Sequence, residues 1–340
     1  MFDTRSLQKK VLRWETFLVL LLLIEVIVFA LINPRFLMPR VLFGSINNFM
    51  TISVVALFVT FVLVTGGIDI QSGAIVGLTS ITIGVLWNDA GMNLYAALVV
   101  GLLVGTLCGA LSGFFVAYTD VQPMVVTLGG SFLYSGIALI ITNFSSTEAY
   151  KGISGFPDEF TQFVRGRFFG FIPHQLIIFA VFVLVTYILL HRTKYGRYVF
   201  LCGVNRHAAT YCGIRTKRIV MSTYVLSGFG AAVAGILLTA YLGTAKTDLG
   251  KEITLPVITA VVLGGTSNLG GTGGVIGTAL AAFVIGILRF GLSLANVNTQ
   301  YLDIPVGVLL VLAVAIRFSG SNPVVQRILA RMRSSRTREN

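Results

Sequence analysis

The sequence predicts an all-α integral membrane protein with about ten transmembrane helices, both termini in the cytoplasm and one short helical element outside the bilayer. Three observations predict it. The 340 residues are 55% hydrophobic and only 11% charged, with a mean hydropathy of +0.88, whereas soluble domains carry roughly 25% charged residues. Apolar runs near the length that crosses hydrocarbon, about 20 residues, recur along the whole chain. Seventeen of the 25 Lys and Arg fall in three segments that ten crossings place on one side: residues 1–14, residues 191–218 and the tail from Arg317. Basic residues mark cytoplasmic segments, which sets the orientation. The same rule accounts for the net charge of +12, so nucleic acid is not expected as a partner. The chain therefore divides into a cytoplasmic tail (1–14), a membrane domain (15–317) and a basic cytoplasmic tail (318–340).

In chain order, residues 1–14 carry Arg5, Lys9, Lys10 and Arg13 against Asp3 and stay inside. Residues 15–32 form the first span. No small-residue cleavage site follows this run, so it is an anchor rather than a signal peptide. A short outer loop with two prolines (33–40) leads to the second span, 41–65, with Asn47 and Asn48 near its outer end. Residues 65–73, TGGIDIQSG, set three glycines, Asp69 and Gln71 within apolar sequence. This predicts a break in the helix, tolerated at membrane depth only where protein or a watery cavity surrounds it. Spans three to five cover 72–87, 93–117 and 123–143. Gly101, Gly105, Gly109 and Gly113 recur every four residues in the fourth, a stripe for close helix packing. Residues 144–171 are the longest outer loop, and their GFP and FFGFIP patches predict an ordered loop or a short surface helix.

The sixth span, 172–190, opens into residues 191–218, which hold seven Lys and Arg and no Asp or Glu. Within them GVNRHAATYCGI (203–214) is Ala-rich and bounded by glycines, which predicts a small helical hairpin outside the bilayer. The seventh span is 219–242, followed by a polar outer loop, 244–252. The eighth, 253–264, is too short to cross alone and meets an inner turn, LGGTSNLGGTGGVIG. The ninth and tenth are 275–294 and 301–316.

Several chemistries lack their residues. No GxxxxGK[ST] occurs: the nearest piece, Gly265 to Gly270, is followed by Gly271 where the phosphate-binding Lys should stand. HExxH and GxSxG are absent, and a lone His, such as His174, His191 or His207, is usually structural. Cys108, Cys202 and Cys212 form no CxxC pair, and two lie where the cytosol keeps thiols reduced, so neither disulfide nor metal site is expected. No catalytic, cofactor-binding or metal-ligating residue is assigned. Ion-driven carriers usually need acids within their spans, and here they are scarce. Glu25 reads first as a packing or topological residue, with snorkelling or pairing as the alternative. Arg289 suits either a pathway or a contact between loops or subunits. Asp69 lies in irregular backbone, where an acid can bind a polar solute, cap a helix N-terminus or do both.

TGGIDIQSG, GVNRHAATYCGI and AVVLGGTSNLGGTGGVIGT (260–278) together resemble, in order and spacing, the permeases of bacterial ABC sugar importers of the ribose type. NPRFL, GFPDEFTQF and YLGTAKTDLG carry a finer likeness to a branch of that family that imports a small furanosyl-type signal. The resemblance implies a multi-pass permease of the bacterial inner membrane, not an enzyme, with no cofactor of its own. It implies three partners besides lipid: a related but distinct second permease chain, a cytoplasmic ABC ATPase and a periplasmic solute-binding protein. The implied solute is that furanosyl-type signal, with ribose or another pentose or methylpentose as the alternative. The family's ATPase-coupling helix maps onto residues 203–214, which makes Gly203, Asn205, Arg206, His207, Ala208, Ala209 and Gly213 the candidate coupling residues. Its glycine-rich motifs make Gly66, Gly67, Asp69, Gln71, Gly264, Gly265, Gly270 and Gly271 candidates for the pathway and gate, with Asn47 and Asn48 on the second span.

Overall fold

A computed structural model describes residues 4–147 and 151–319; the tail arginines from Arg327 onward lie outside them. The first helix, α1 (Thr4–Ile32), meets α2 (Pro39–Val64) through a single tight turn at Pro34–Leu37, which Asn33 caps by accepting from the Arg35 N–H. Proline opens α2, where a missing N–H costs nothing. The chain continues through α3 (Ser72–Asn88), α4 (Leu94–Tyr118) and α5 (Pro123–Thr142). The expected surface helix is α6 (Asp158–Arg165). It is amphipathic, with Phe160, Thr161 and Val164 buried, acids in its first turn and Arg165 in its last, matching the helix dipole. Then come α7 (His174–Tyr187), widened at its end by a π-turn over Ile188–Arg192, α8 (Lys194–Val204), α9 (Arg206–Tyr211) and α10 (Thr216–Leu242). Gly243, at φ +68°, ends α10 in the left-handed cap that glycine adopts without strain. The last are α11 (Thr254–Leu263), α12 (Val275–Leu294) and α13 (Asp303–Ser319).

The all-α expectation needs a small correction. Residues Ile153–Ser154 (β1) pair antiparallel with Thr244–Ala245 (β4), tying two outer loops together, and Arg167–Phe168 (β2) pair with Ile172–Pro173 (β3) in a hairpin. The expected single hairpin at 203–214 is also redrawn. Gly203 lies inside α8, and the separate helix is only α9. Among the described residues, seven helices are long and apolar enough to cross a membrane: α1 from Trp14, α2, α4, α5, α7 with its π-turn, α10 and α12. Three shorter apolar helices accompany them: α3, α11 and Asp303–Leu312 of α13.

These helices are not equivalent. Every residue of α2 from Phe49 to Val64 is buried, so α2 is the axis of the molecule. By contrast α1 from Trp14, α4, α5 and α7 bury narrow stripes and present exposed residues on another face, including Leu103, Leu107 and Phe132. The glycine stripe of α4 packs as expected. A methyl group at Gly105 would stand 2.6 Å from the Ala232 Cβ, and one at Gly109 would stand 2.9 Å from the Gly228 Cα on α10. Only glycine lets these backbones approach so closely.

Candidate functional site

The fold brings the three sequence motifs to one place. At the end of α2 the chain turns through Gly66, at φ +81°, and the tip of the glycine-rich turn lies against it. The Gly271 N–H donates to the Val64 carbonyl at 2.8 Å. A Cβ on Gly270 would stand 2.8 Å from Gly66 N and 2.9 Å from Gly203 O. One on Gly203 would strike the Val64 carbonyl and stand 2.5 Å from Gly271 N. Gly66, Gly203, Gly270 and Gly271 are therefore one knot of backbone, built from segments far apart in sequence. Gly66, Gly270 and Gly271 also have positive φ, which side chains disfavour. The other arm of the turn is held by α1: Trp14 donates its indole N–H to the Leu263 carbonyl at 2.8 Å, and its ring lies against Gly265. Gly264 packs on the first turn of α12, close to Thr278.

From the knot the chain enters the break at 65–71. Gly67 packs against the Tyr224 hydroxyl. Asp69 is fully buried and accepts from the Gln71 N–H at 3.0 Å and from the Ser227 hydroxyl on α10. It therefore holds the start of α3 and pins that start to α10. Gln71, also fully buried, accepts from Ser112 on α4 at 2.6 Å. The Tyr134 hydroxyl on α5 lies 2.8 Å from that serine and donates to the Cys108 carbonyl. The side-chain nitrogen of Gln71 and the Ser72 hydroxyl have no partner among the described residues. Ser112, Tyr134, Tyr224 and Ser227 were not singled out by sequence reading. Their only signal there was a hydroxyl within an apolar run.

On the far side of the knot, Asn205 separates α8 from α9 with extended backbone and caps α9 by accepting from the Ala208 N–H at 2.9 Å. Arg206 donates to the Ala117 carbonyl at the end of α4 at 3.1 Å. Ala209 is buried, whereas His207, Ala208, Thr210 and Tyr211 face outward. Gly213, at φ +80°, turns the chain toward α10. The coupling candidates thus split into an anchoring set (Gly203, Arg206, Ala209), a cap (Asn205), a turn (Gly213) and a free face (His207, Ala208).

Asn47 and Asn48 do not join this cluster. They sit about 27 Å up α2 from Thr65, at roughly 1.5 Å per residue. Asn47 is buried, and Asn48 accepts from the Tyr241 hydroxyl at 3.2 Å. Glu25 is buried on the inward stripe of α1. Arg289 pairs with Asp303 at 2.8 Å, a contact from α12 to α13.

Comparison with known proteins identifies the family. Residues 41–314 match the family described as branched-chain amino acid transport system / permease component. An autoinducer 2 import system permease protein, LsrD, of Salmonella typhimurium is 43% identical over 301 residues, covering 88% of this chain and 90% of the relative. Proteins of the same name from Photorhabdus laumondii and from Enterobacter are 42% and 40% identical, the latter over 89% of this chain and 92% of the relative. No solved structure matches. With its membrane-length helices and a family match running from α2 into α13, the chain is a multi-pass membrane protein and belongs to this family of transport-system permease components.

Proposed function

We propose that this chain is one of two permease subunits of an ATP-driven importer of the bacterial inner membrane. It crosses ten times, by the seven long helices together with α3, α11 and α13, and both termini are inside. A separate ATPase docks on the free face of α9, and a periplasmic binding protein delivers the solute. The solute is autoinducer 2. The observation that carries this reading is the 43% identity to an autoinducer 2 import permease over nearly the whole of both chains. Ribose or another pentose or methylpentose is the second reading, because the family description names a different substrate class and so family membership does not fix the solute.

The geometry suggests how such a subunit works. A push on α9 reaches Asn205 and Gly203, and through them the knot at Val64, Gly66, Gly270 and Gly271. The knot adjoins the break that starts α3. Displacing it would loosen the Asp69–Ser227 and Gln71–Ser112 contacts that join α3 to α10 and α4. The unpaired amide of Gln71 and hydroxyl of Ser72 would then be available to a hydroxylated solute. Gly264 and Gly265 anchor the turn. Asn47 and Asn48 belong to the outer half of the path.

The test is uptake. Cells lacking their own autoinducer 2 permeases receive this chain with the second permease, ATPase and binding protein of its system. Depletion of autoinducer 2 from the medium, with ribose untouched, is the expected result. Ribose uptake alone would replace the solute. Uptake abolished by an ion uncoupler while ATP stays normal would replace the ATP-driven mechanism with ion coupling.

A further inference from the structure

The β2–β3 hairpin in the longest outer loop carries an exposed aromatic cluster. Its tip, Phe168-Phe169-Gly170-Phe171, is closed by the Phe171 N–H donating to the Phe168 carbonyl at 3.2 Å. Phe169 is 86% exposed and adopts φ +50°, a conformation that bulky residues rarely take. Phe163, on α6, and Phe168 and Phe171 are exposed as well. Water exposure of four phenylalanines is unfavourable, and the backbone strain at Phe169 adds to that cost.

The hairpin is nonetheless rigidly mounted. The His174 Nδ1 lies 2.8 Å from the Phe163 carbonyl, and the His174 ring sits 5.0 Å from Phe168, tilted by 57°. The Phe171 ring leans on Phe43 at the start of α2, at 5.8 Å. Arg165 donates to the Tyr241 carbonyl at 2.7 Å, which fixes α6 to the end of α10. The tip is thus held out on a firm platform at the ends of three helices.

What covers it follows from continuity. His174 begins a membrane-length helix whose outward stripe is Ile177, Val181, Leu184, Val185 and Ile188. In a membrane-spanning chain that stripe faces lipid. The tip stands within one turn of its upper end, with no acid among residues 166–173 and Arg167 exposed beside it. Apolar rings with a neighbouring cation suit the boundary between acyl chains and phosphate headgroups. Exposed Glu159, Gln162 and Arg165 border Phe163 on α6, but the tip itself, residues 168–171, carries no polar side chain. We infer that residues 163–171 form a monotopic anchor, in which Phe163, Phe168 and Phe169 insert into the lipid leaflet at the start of α7 and Arg167 meets lipid phosphate.

Nitroxide depth measurement tests this. The label is placed at Phe169→Cys, and separately at Phe163→Cys, in a Cys212→Ser chain whose other cysteines, Cys108 and Cys202, are buried. The full chain is reconstituted in phospholipid nanodiscs, with Ser154→Cys as the exposed reference. Labels at 163 and 169 should collide several-fold more with oxygen than with a water-soluble nickel chelate, while the label at 154 shows the reverse. Water access at 169 equal to that at 154 would overturn the anchor. Protection at 169 that appears only when the binding protein is added would also overturn it, in favour of a protein-docking tip. Neither result depends on which solute the permease carries.

Discussion

Asp69 has two possible roles, holding the start of α3 or offering charge to a solute, and substitution separates them. Its acceptor oxygens bind the Gln71 N–H and the Ser227 hydroxyl. Asp69→Asn keeps an acceptor for the backbone N–H, so it should insert normally and keep most uptake. Asp69→Ala leaves both donors buried and unpaired, at about 1–3 kcal/mol each, and should unfold earlier on heating and lose uptake. Normal stability of Asp69→Asn with uptake abolished would assign the charge to the solute. Gly203 gives a second residue-scale contrast. A methyl group there strikes the Val64 carbonyl, whereas at Gly129 it meets nothing within 4 Å. Gly203→Ala should therefore destabilise by about 1–3 kcal/mol and stop transport, while Gly129→Ala, inside α5, should leave uptake intact and hold stability or raise it by up to about 1 kcal/mol; thermal unfolding in detergent with an uptake assay checks both. Glycines and an acid stand out against apolar sequence, so Gly66 and Asp69 were legible. Ser112, Tyr134 and Ser227 were not. Hydroxyls in apolar helices commonly bond their own backbone, as Thr106 does to Leu102 and Thr82 to Leu78, and only the fold shows which ones reach across.

At the scale of elements, α9 has six residues, too few to be stable alone, and depends on its cap and its buried side. Asn205→Ala removes the cap, worth about 1 kcal/mol. Hydrogen exchange at residues 206–211 should then quicken while α8 and α10 keep their protection; unchanged exchange would show that packing alone holds α9. The sequence placed this element well but extended it back through Gly203. Glycine there reads as a stop, yet in the fold it permits close approach of α8 to the end of α2. The central place of α2 was also illegible. Lipid and protein interior are both apolar surroundings, so hydropathy does not distinguish buried α2 from α4, which faces outward along most of its length. What does mark the neighbours is the glycine spacing of α4, which was read correctly as packing.

At the scale of the whole molecule, charge asymmetry gives an orientation that the native chain itself can report. Cys212 is exposed next to α9, while Cys108 and Cys202 are buried. An impermeant maleimide should label the unmodified protein in inside-out vesicles and leave it unlabelled in intact spheroplasts. Labelling from outside would invert every loop assignment. The helical membrane architecture was legible because apolar length repeats along the chain; the meeting of the three glycine motifs was not, because sequence order says nothing of which loop tips touch. That meeting underlies the central claim, that an ATPase seated on α9 drives the gate through the glycine knot. The most direct measurement compares Ala208→Glu with the unmodified protein in the purified complex. Ala208 is exposed, so the variant permease should insert and melt as the original does. In the variant complex the ATPase should no longer co-purify, or its hydrolysis should no longer rise when solute-loaded binding protein is added. Normal co-purification together with normal stimulated hydrolysis would contradict it.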